Sequence, residues 1–293
     1  MITVLDAASD AAGRANEDAS GAVGDAALGA AWVLDGATGL AERETAPGGS
    51  DAAWYAARLS EALGRLSLGA GAPAAVFRAA IEETAAGWAA LPGAAGLEVE
   101  GGASGEAPAH AVPSAAGAWV RWTGGGPTEV VSIGDCRALW RPDGGRASTL
   151  AGPPPGADAW LDDAVREAQS RGLAGPDEVR AALMPLLRRV RAGMNAPGGY
   201  WILGMVPDAA EHLTQARVPP GPGHLLLATD GFYRLVDAYG ALDEDGLVAA
   251  SVERGLAAVL AELRAIEATD PDCRRHPRLK PRDDATAVLL RAS

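Results

Sequence analysis

Residues 26–34, "AALGAAWVL", form an unbroken apolar run of strand length that closes on Asp35 and Gly36. Such a run has no polar face to offer water, so it predicts a buried central strand. A second run, "HLLLATDG" at residues 224–231, ends the same way, on Asp230 and Gly231. Asp-Gly favours tight turns, and one such ending says little by itself. Two of them raise another possibility, that both carboxylates meet something at the ends of buried strands.

The segments around these runs restrict the architecture. "ITVLDAAS" has period-2 character and predicts a strand. Residues 50–67 and 73–90 carry apolar side chains at helical spacing. The first has Ser50 and Asp51 as cap candidates and the second has proline at its start. Residues 92–117, rich in Gly, Pro, Ala and Ser, read as a surface connection. "AWVRW", "TEVVSI" and "CRALWRP" follow as three short runs and predict an antiparallel meander. Two helices are expected within 158–193. "LTQARV" and "HLLLATDG" read as strands joined by the turn "PPGPG". Residues 242–268 read as helical, with Glu262 and Leu263 on opposite faces, and "DATAVLLRA" as a closing, alternating strand. No regular strand–helix–strand alternation appears, so a doubly wound parallel sheet is disfavoured. Antiparallel sheets covered by helices, an α+β architecture, fit better.

With 293 residues and 48% hydrophobic content, the chain can bury a substantial core. Its net charge of -13 repels phosphate backbones and disfavours nucleic-acid binding. No stretch reaches the ~18 apolar residues needed to cross a bilayer. The N-terminal segment shows no signal-peptide pattern. Cys136 and Cys273 are too few for a disulfide framework and lack metal-ligand spacing, so they read as reduced thiols in a cytoplasmic protein.

Acids recur in similar local settings. Glu17 and Asp18 lie in "RANEDA", and Asp35 and Asp230 end apolar runs. Asp135 sits in the turn of "IGDCRA", and Asp283 and Asp284 precede the last strand. Carboxylates at strand ends can converge without crossing a core. Left without a counter-charge they would repel one another and their pKa values would rise. Hard divalent cations such as Mg²⁺ and Mn²⁺ remove that conflict through all-oxygen coordination. Two cations sharing a water would lower its pKa and prepare it to attack phosphorus.

Taken together, "RANEDA", "VLDGATG", "SIGDCRALW" with "LLLATDGF", and "DDATAVLL" resemble the metal-dependent serine/threonine protein phosphatases of the PP2C (PPM) type. They occur in family order over residues 14–290. The resemblance implies a sandwich of two antiparallel β-sheets flanked by helices. It also implies one domain over residues 1–293, with a variable flap region around 142–200. It further implies a phosphorylated protein as substrate and two Mn²⁺ or Mg²⁺ ions. Asp35 would bridge the ions, and the Gly36 carbonyl and Glu17 would bind one of them. Asp230 and Asp283 would hold the other, with Asp18 acting through water. The Ala- and Gly-rich, lysine-poor composition suits a GC-rich bacterial genome.

Departures from the family pattern shape further expectations. The phosphate-gripping arginine usually lies four residues before the glutamate, whereas Arg14 lies three before Glu17. In an extended segment that shift turns the side chain to the opposite face unless a bulge restores it. The histidine that follows the first Asp-Gly in many members is Ala37 here. Asp135 suits a third metal, but its usual partner position is Arg234, so a third ion is expected to be weak or absent. Arg234 itself reads as a surface arginine, Asp284 as added charge at the site, and residues 273–282 as a basic island or a solvated loop. His110, His212, His224 and His276 show no catalytic pairing, and Ser50, Ser132 and Cys136 lack a nucleophile-elbow context. The rival to a phosphatase is a pseudophosphatase, retained as a metal-binding regulatory or interaction module.

Overall fold

The computed structural model describes residues 1–13, 15–40, 44–94, 110–154, 156–157, 159–173 and 175–293. Among the described residues, ten strands form two five-stranded antiparallel sheets. One sheet has the order β1 (Ile2–Asp10), β10 (Ala285–Ala292), β9 (Gly223–Ala228), β6 (Arg137–Pro142), β7 (Ser148–Ala151). The other has the order β2 (Asp18–Gly24), β3 (Leu28–Ala37), β4 (Ser114–Thr123), β5 (Glu129–Ile133), β8 (Thr214–Arg217). The sheets stack face to face, and each carries helices on its outer face. The expected two-sheet α+β sandwich is therefore the observed fold.

Side-chain alternation explains the layering. Along β3, Trp32 and Leu34 pack beneath α1 (Asp51–Leu66) and α2 (Pro73–Ala89), in a core with Tyr55, Leu59, Phe77 and Trp119. Ala31 and Val33 point the other way, into the inter-sheet core with Leu225, Leu227, Val288 and Leu290. On β9, Leu226 and Ala228 face outward instead. They meet α6 (Glu244–Arg254) and α7 (Leu256–Ala268) through Leu247, Val259 and Leu263. Each fully buried Leu or Phe contributes roughly 1.5–3 kcal/mol over exposure. Three such layers explain why the central runs are apolar throughout.

α1 begins where the sequence places it. Ser50 is the N-cap, and its hydroxyl accepts from the Ala53 N–H at 3.1 Å. α2 starts on Pro73, as expected. Two helices, α3 (Ala159–Ser170) and α4 (Pro176–Arg191), lie within residues 158–193 and share a small core of Val165, Ala168 and Val179. The expected flap, 142–200, also contains β7, an edge strand of the first sheet. Most of the connection at 92–117, residues 95–109, lies outside the described residues.

Four local expectations change. The meander stops after β5: β6 leaves for the other sheet, where it pairs with β9 and β7. β8 and β9 form no hairpin, since β8 pairs with β5 while β9 pairs with β6 and β10. The single helix over 242–268 is two, broken at Gly255, whose φ of 81° no β-carbon-bearing residue adopts cheaply. β10 is buried on both faces along its first six residues, because it is flanked by β1 and β9 and lies between helices and the second sheet. Two short strands were not expected from the sequence, the small-residue strand β2 and the edge strand β7. Among the described residues no helix is long and apolar enough to cross a membrane.

Candidate metal and phosphate site

The acids gather at one end of the inter-sheet space. Asp35 follows Ala31 and Val33 in the alternation, so it points between the sheets at the end of β3. β2 and β3 pair in a register that sets Asp18 directly opposite Asp35. Asp230 arrives from the other sheet, one residue past the buried Thr229 that follows β9, and opens the short helix α5 (Asp230–Tyr233). Thr229 links the sheets: its hydroxyl donates to Asp18 Oδ2 at 3.0 Å and accepts from the Thr286 N–H at 3.0 Å. Asp18 is only 8% exposed, and its Oδ1 is buried with no hydrogen-bond partner.

The electrostatics follow from that crowding. Burial pushes the Asp35 carboxyl well above its ordinary value, and the charges of Asp230, Asp18 and Asp135 push it further. Burial raises Asp18 likewise, with Asp230 and Asp284 adding to the effect against the hydrogen bonds from Thr286 and Thr229. Asp135, in the turn where Gly134 adopts φ 74°, acts on Asp35 from the β5–β6 side. Cys136 beside it is fully buried, and burial first and then the surrounding acids hold its thiol protonated.

The two Asp-Gly pairs have one structural cause, and it is not turn geometry. Neither Gly36 nor Gly231 has a positive φ. A β-carbon on Gly36 would collide with the Glu17 carbonyl oxygen, and one on Gly231 with the Asp284 carbonyl oxygen. Each glycine lets another acid-bearing segment press its backbone against the strand end. Gly36 N–H donates to that Glu17 carbonyl at 3.1 Å. Asp284 completes the anchoring, its carboxylate accepting from the Ala12 N–H at 2.6 Å and the Glu17 N–H at 2.7 Å. Asp284 thus fixes the "RANEDA" loop as well as adding charge near Asp18.

Glu17 is held by the start of α1. Its Oε1 accepts from the hydroxyls of Thr38 at 2.8 Å and Ser50 at 2.6 Å. Ser50 therefore caps the helix with its lone pair and orients Glu17 with its proton. The partial positive charge of a helix N-terminus favours a carboxylate there. Thr38 in this role had no distinct sequence signal, and Ser50 had only its capping signal.

Asp283 lies in a different environment from the other acids. Its Oδ2 accepts from Arg234 Nη2 at 2.7 Å and its Oδ1 from Lys280 Nζ at 2.9 Å. Burial alone would raise its pKa, but the Arg234 and Lys280 charges outweigh burial and hold it below the ordinary carboxylate value. Arg234 is thus not a surface arginine: its side chain is 14% exposed and paired. Nor is residues 273–282 a free basic island, since Arg278 is buried against Asp270 at 2.6 Å and Lys280 is committed to Asp283. Arg14 lies outside the described residues. Among the described residues, no three His, Cys, Asp or Glu side chains meet the spacing of a finished metal cage. The four histidines stay apart from the acids, with His212 stacked on Trp201 at 3.6 Å between ring centres.

The end of α4 touches the same end of the sheet. Arg191, the last residue of α4, donates through Nη2 to the Ala37 carbonyl at 2.8 Å and to Ser114 Oγ at 3.0 Å. Burial lowers its pKa, opposed by the nearby Tyr200 and Glu17. Sequence patterning offered no signal for this contact, which joins segments about 150 residues apart.

No protein-family model matches the sequence, and no curated protein sequence matches it. Solved structures do match, and along the whole chain. The fold is that of the PP2C-type, or PPM, serine/threonine phosphatases. The serine/threonine phosphatase PstP/Ppp of Mycobacterium tuberculosis matches at 18% identity and a TM-score of 0.52, covering 99% of this chain and 97% of its own. PppA of Pseudomonas aeruginosa, a regulatory component of T6SS, matches at 18% identity and 0.52, covering 100% and 98%. The catalytic domain of PstP in complex with two manganese ions matches at 18% and 0.51, covering 100% and 99%.

Proposed function

We propose that the protein is a divalent-metal-dependent phosphatase acting on phosphoserine or phosphothreonine in proteins. The observation that carries this reading is the convergence of Asp18 and Asp35 from one sheet with Asp230 from the other. It leaves two carboxyls destabilised first by burial and then by their neighbours' charges, with Asp18 Oδ1 without a partner. A folded protein rarely keeps such a cluster without a compensating cation. The donors are hard oxygens of the type Mn²⁺ and Mg²⁺ prefer. When bound, a divalent ion would supply Lewis-acid polarisation of a phosphoryl oxygen and a water of lowered pKa.

The chain's own groups have separable roles in this reading. Asp35 and Asp230 provide charge from opposite sheets, and Thr229 holds Asp18 in orientation. Thr38 and Ser50 hold Glu17, and Gly36 keeps the backbone open so that its carbonyl can serve as a ligand. Asp135 adds charge from the β5–β6 turn. Arg14 is the intended phosphate clamp. The region around 142–200 would serve as the flap, and its Arg191 reaches the end of β3. A cytoplasmic, bacterial setting and a role in signalling accompany this reading.

The pairing of Asp283 with Arg234 and Lys280 favours a second reading, a pseudophosphatase that uses the same surface to bind. Hydrolysis of p-nitrophenyl phosphate and of a phosphothreonine peptide separates the two. The phosphatase reading expects turnover with Mn²⁺, none with EDTA, and a loss of at least ~100-fold in Asp230→Ala. Equal turnover in the variant, or none in the wild type with Mn²⁺, would leave the binding module.

A further inference from the structure

The acids divide into a compensated group and an uncompensated one. Asp283 has both carboxylate oxygens committed to cations of this chain, Arg234 Nη2 at 2.7 Å and Lys280 Nζ at 2.9 Å. The Arg234 pair is set into the protein, with Asp283 at 18% and Arg234 at 14% side-chain exposure, whereas Lys280 closes over Asp283 from the surface at 46% exposure. Lys280 is the only lysine in the chain. By contrast, among the described residues Asp18, Asp35 and Asp230 form no ion pair, and Asp18 Oδ1, nine-tenths buried, has no partner at all.

Two monocations of the chain itself carry the charge of one divalent ion. Placed on Asp283, they satisfy the carboxylate that a second ion would need, and they repel any dication brought beside it. We propose that Lys280 and Arg234 stand in for one of the two ions of a PP2C-type site, so that this chain holds one divalent ion and none on Asp283. This inference rests on the metal-dependent reading above and deepens it. Asp283 becomes a positioning residue for Lys280 and Arg234, not a ligand.

Counting ions tests it without reference to turnover. The full chain is equilibrated with Mn²⁺, and bound metal is measured by native mass spectrometry and by electron paramagnetic resonance. The wild type is expected to bind one equivalent and give the six-line signal of an isolated Mn²⁺. The double variant Lys280→Ala, Arg234→Ser, checked by circular dichroism for retained fold, is expected to bind two equivalents and give an exchange-coupled signal. Two coupled ions in the wild type would overturn the substitution of cations for metal while leaving the metal-dependent reading intact. No bound ion in the wild type would overturn both. A folded double variant that still binds one equivalent would also overturn the proposal. Should the double variant fail to fold, the wild-type stoichiometry and spectrum decide alone.

Discussion

Gly36 and Gly231 show how much rests on single residues at this site. Each is needed because another segment's backbone occupies the space of a β-carbon. Gly231→Ala would force the Asp284 carbonyl away and loosen the segment that anchors the Glu17 loop. We expect it to cost about 2–4 kcal/mol, measured by urea denaturation of the metal-free protein. Asp35→Asn should act in the opposite sense on stability. It removes one charge from a cluster in which the acids repel one another, so the metal-free variant should be more stable than wild type by on the order of 1–2 kcal/mol. The same change should abolish metal-dependent turnover. A wild-type-like denaturation midpoint together with full activity would contradict this account of Asp35.

At the scale of elements, the loop from 270 to 284 matters most, because it delivers Lys280, Asp283 and Asp284. Asp270 organises it. Burial works against its ionisation, but the N–H groups of Arg275, His276 and Arg274, together with the Arg278 guanidinium, outweigh burial and hold its pKa at about 2. A carboxyl whose folded value lies below its unfolded one stabilises the fold above the unfolded value of 3.8. That stabilisation, about 2 kcal/mol, is lost as pH falls from there through 2. Asp270→Asn should therefore lower stability at pH 7 and flatten the acid limb of a stability–pH profile between roughly pH 4 and 2. An unchanged acid limb would remove Asp270 from this role. The α6–α7 junction gives a second test: Gly255→Ala places a β-carbon at φ 81° and should cost ~1–2 kcal/mol by thermal melt.

For the whole molecule, an ion at the proposed site would link the two sheets, since Asp18 and Asp35 come from one and Asp230 from the other. An ion bound there stabilises only the assembled sandwich. Mn²⁺ at ~100 times its dissociation constant should add ~2.7 kcal/mol, a rise of several degrees in melting temperature. EDTA should reverse it, and Asp35→Asn should remove it. A melting temperature indifferent to Mn²⁺ in the wild type would mean that no ion bridges the sheets.

Local pattern made much of this protein legible. Apolar runs and helical spacing marked β3, β9, α1, α2, α3 and α4, and the resemblance of the acid-bearing motifs to PP2C-type phosphatases implied the two-sheet fold. These signals are visible because burial imposes a period of two or 3.6 on side chains wherever a strand or helix forms. The tertiary structure alone decided which sheet each strand joined, sending β6 and β9 away from neighbours they follow closely in sequence. It also brought Arg234 and Lys280 onto Asp283, and Thr38 and Ser50 onto Glu17. Such pairings depend on register and on chain crossings between distant segments, which leave no periodic trace in the residues themselves.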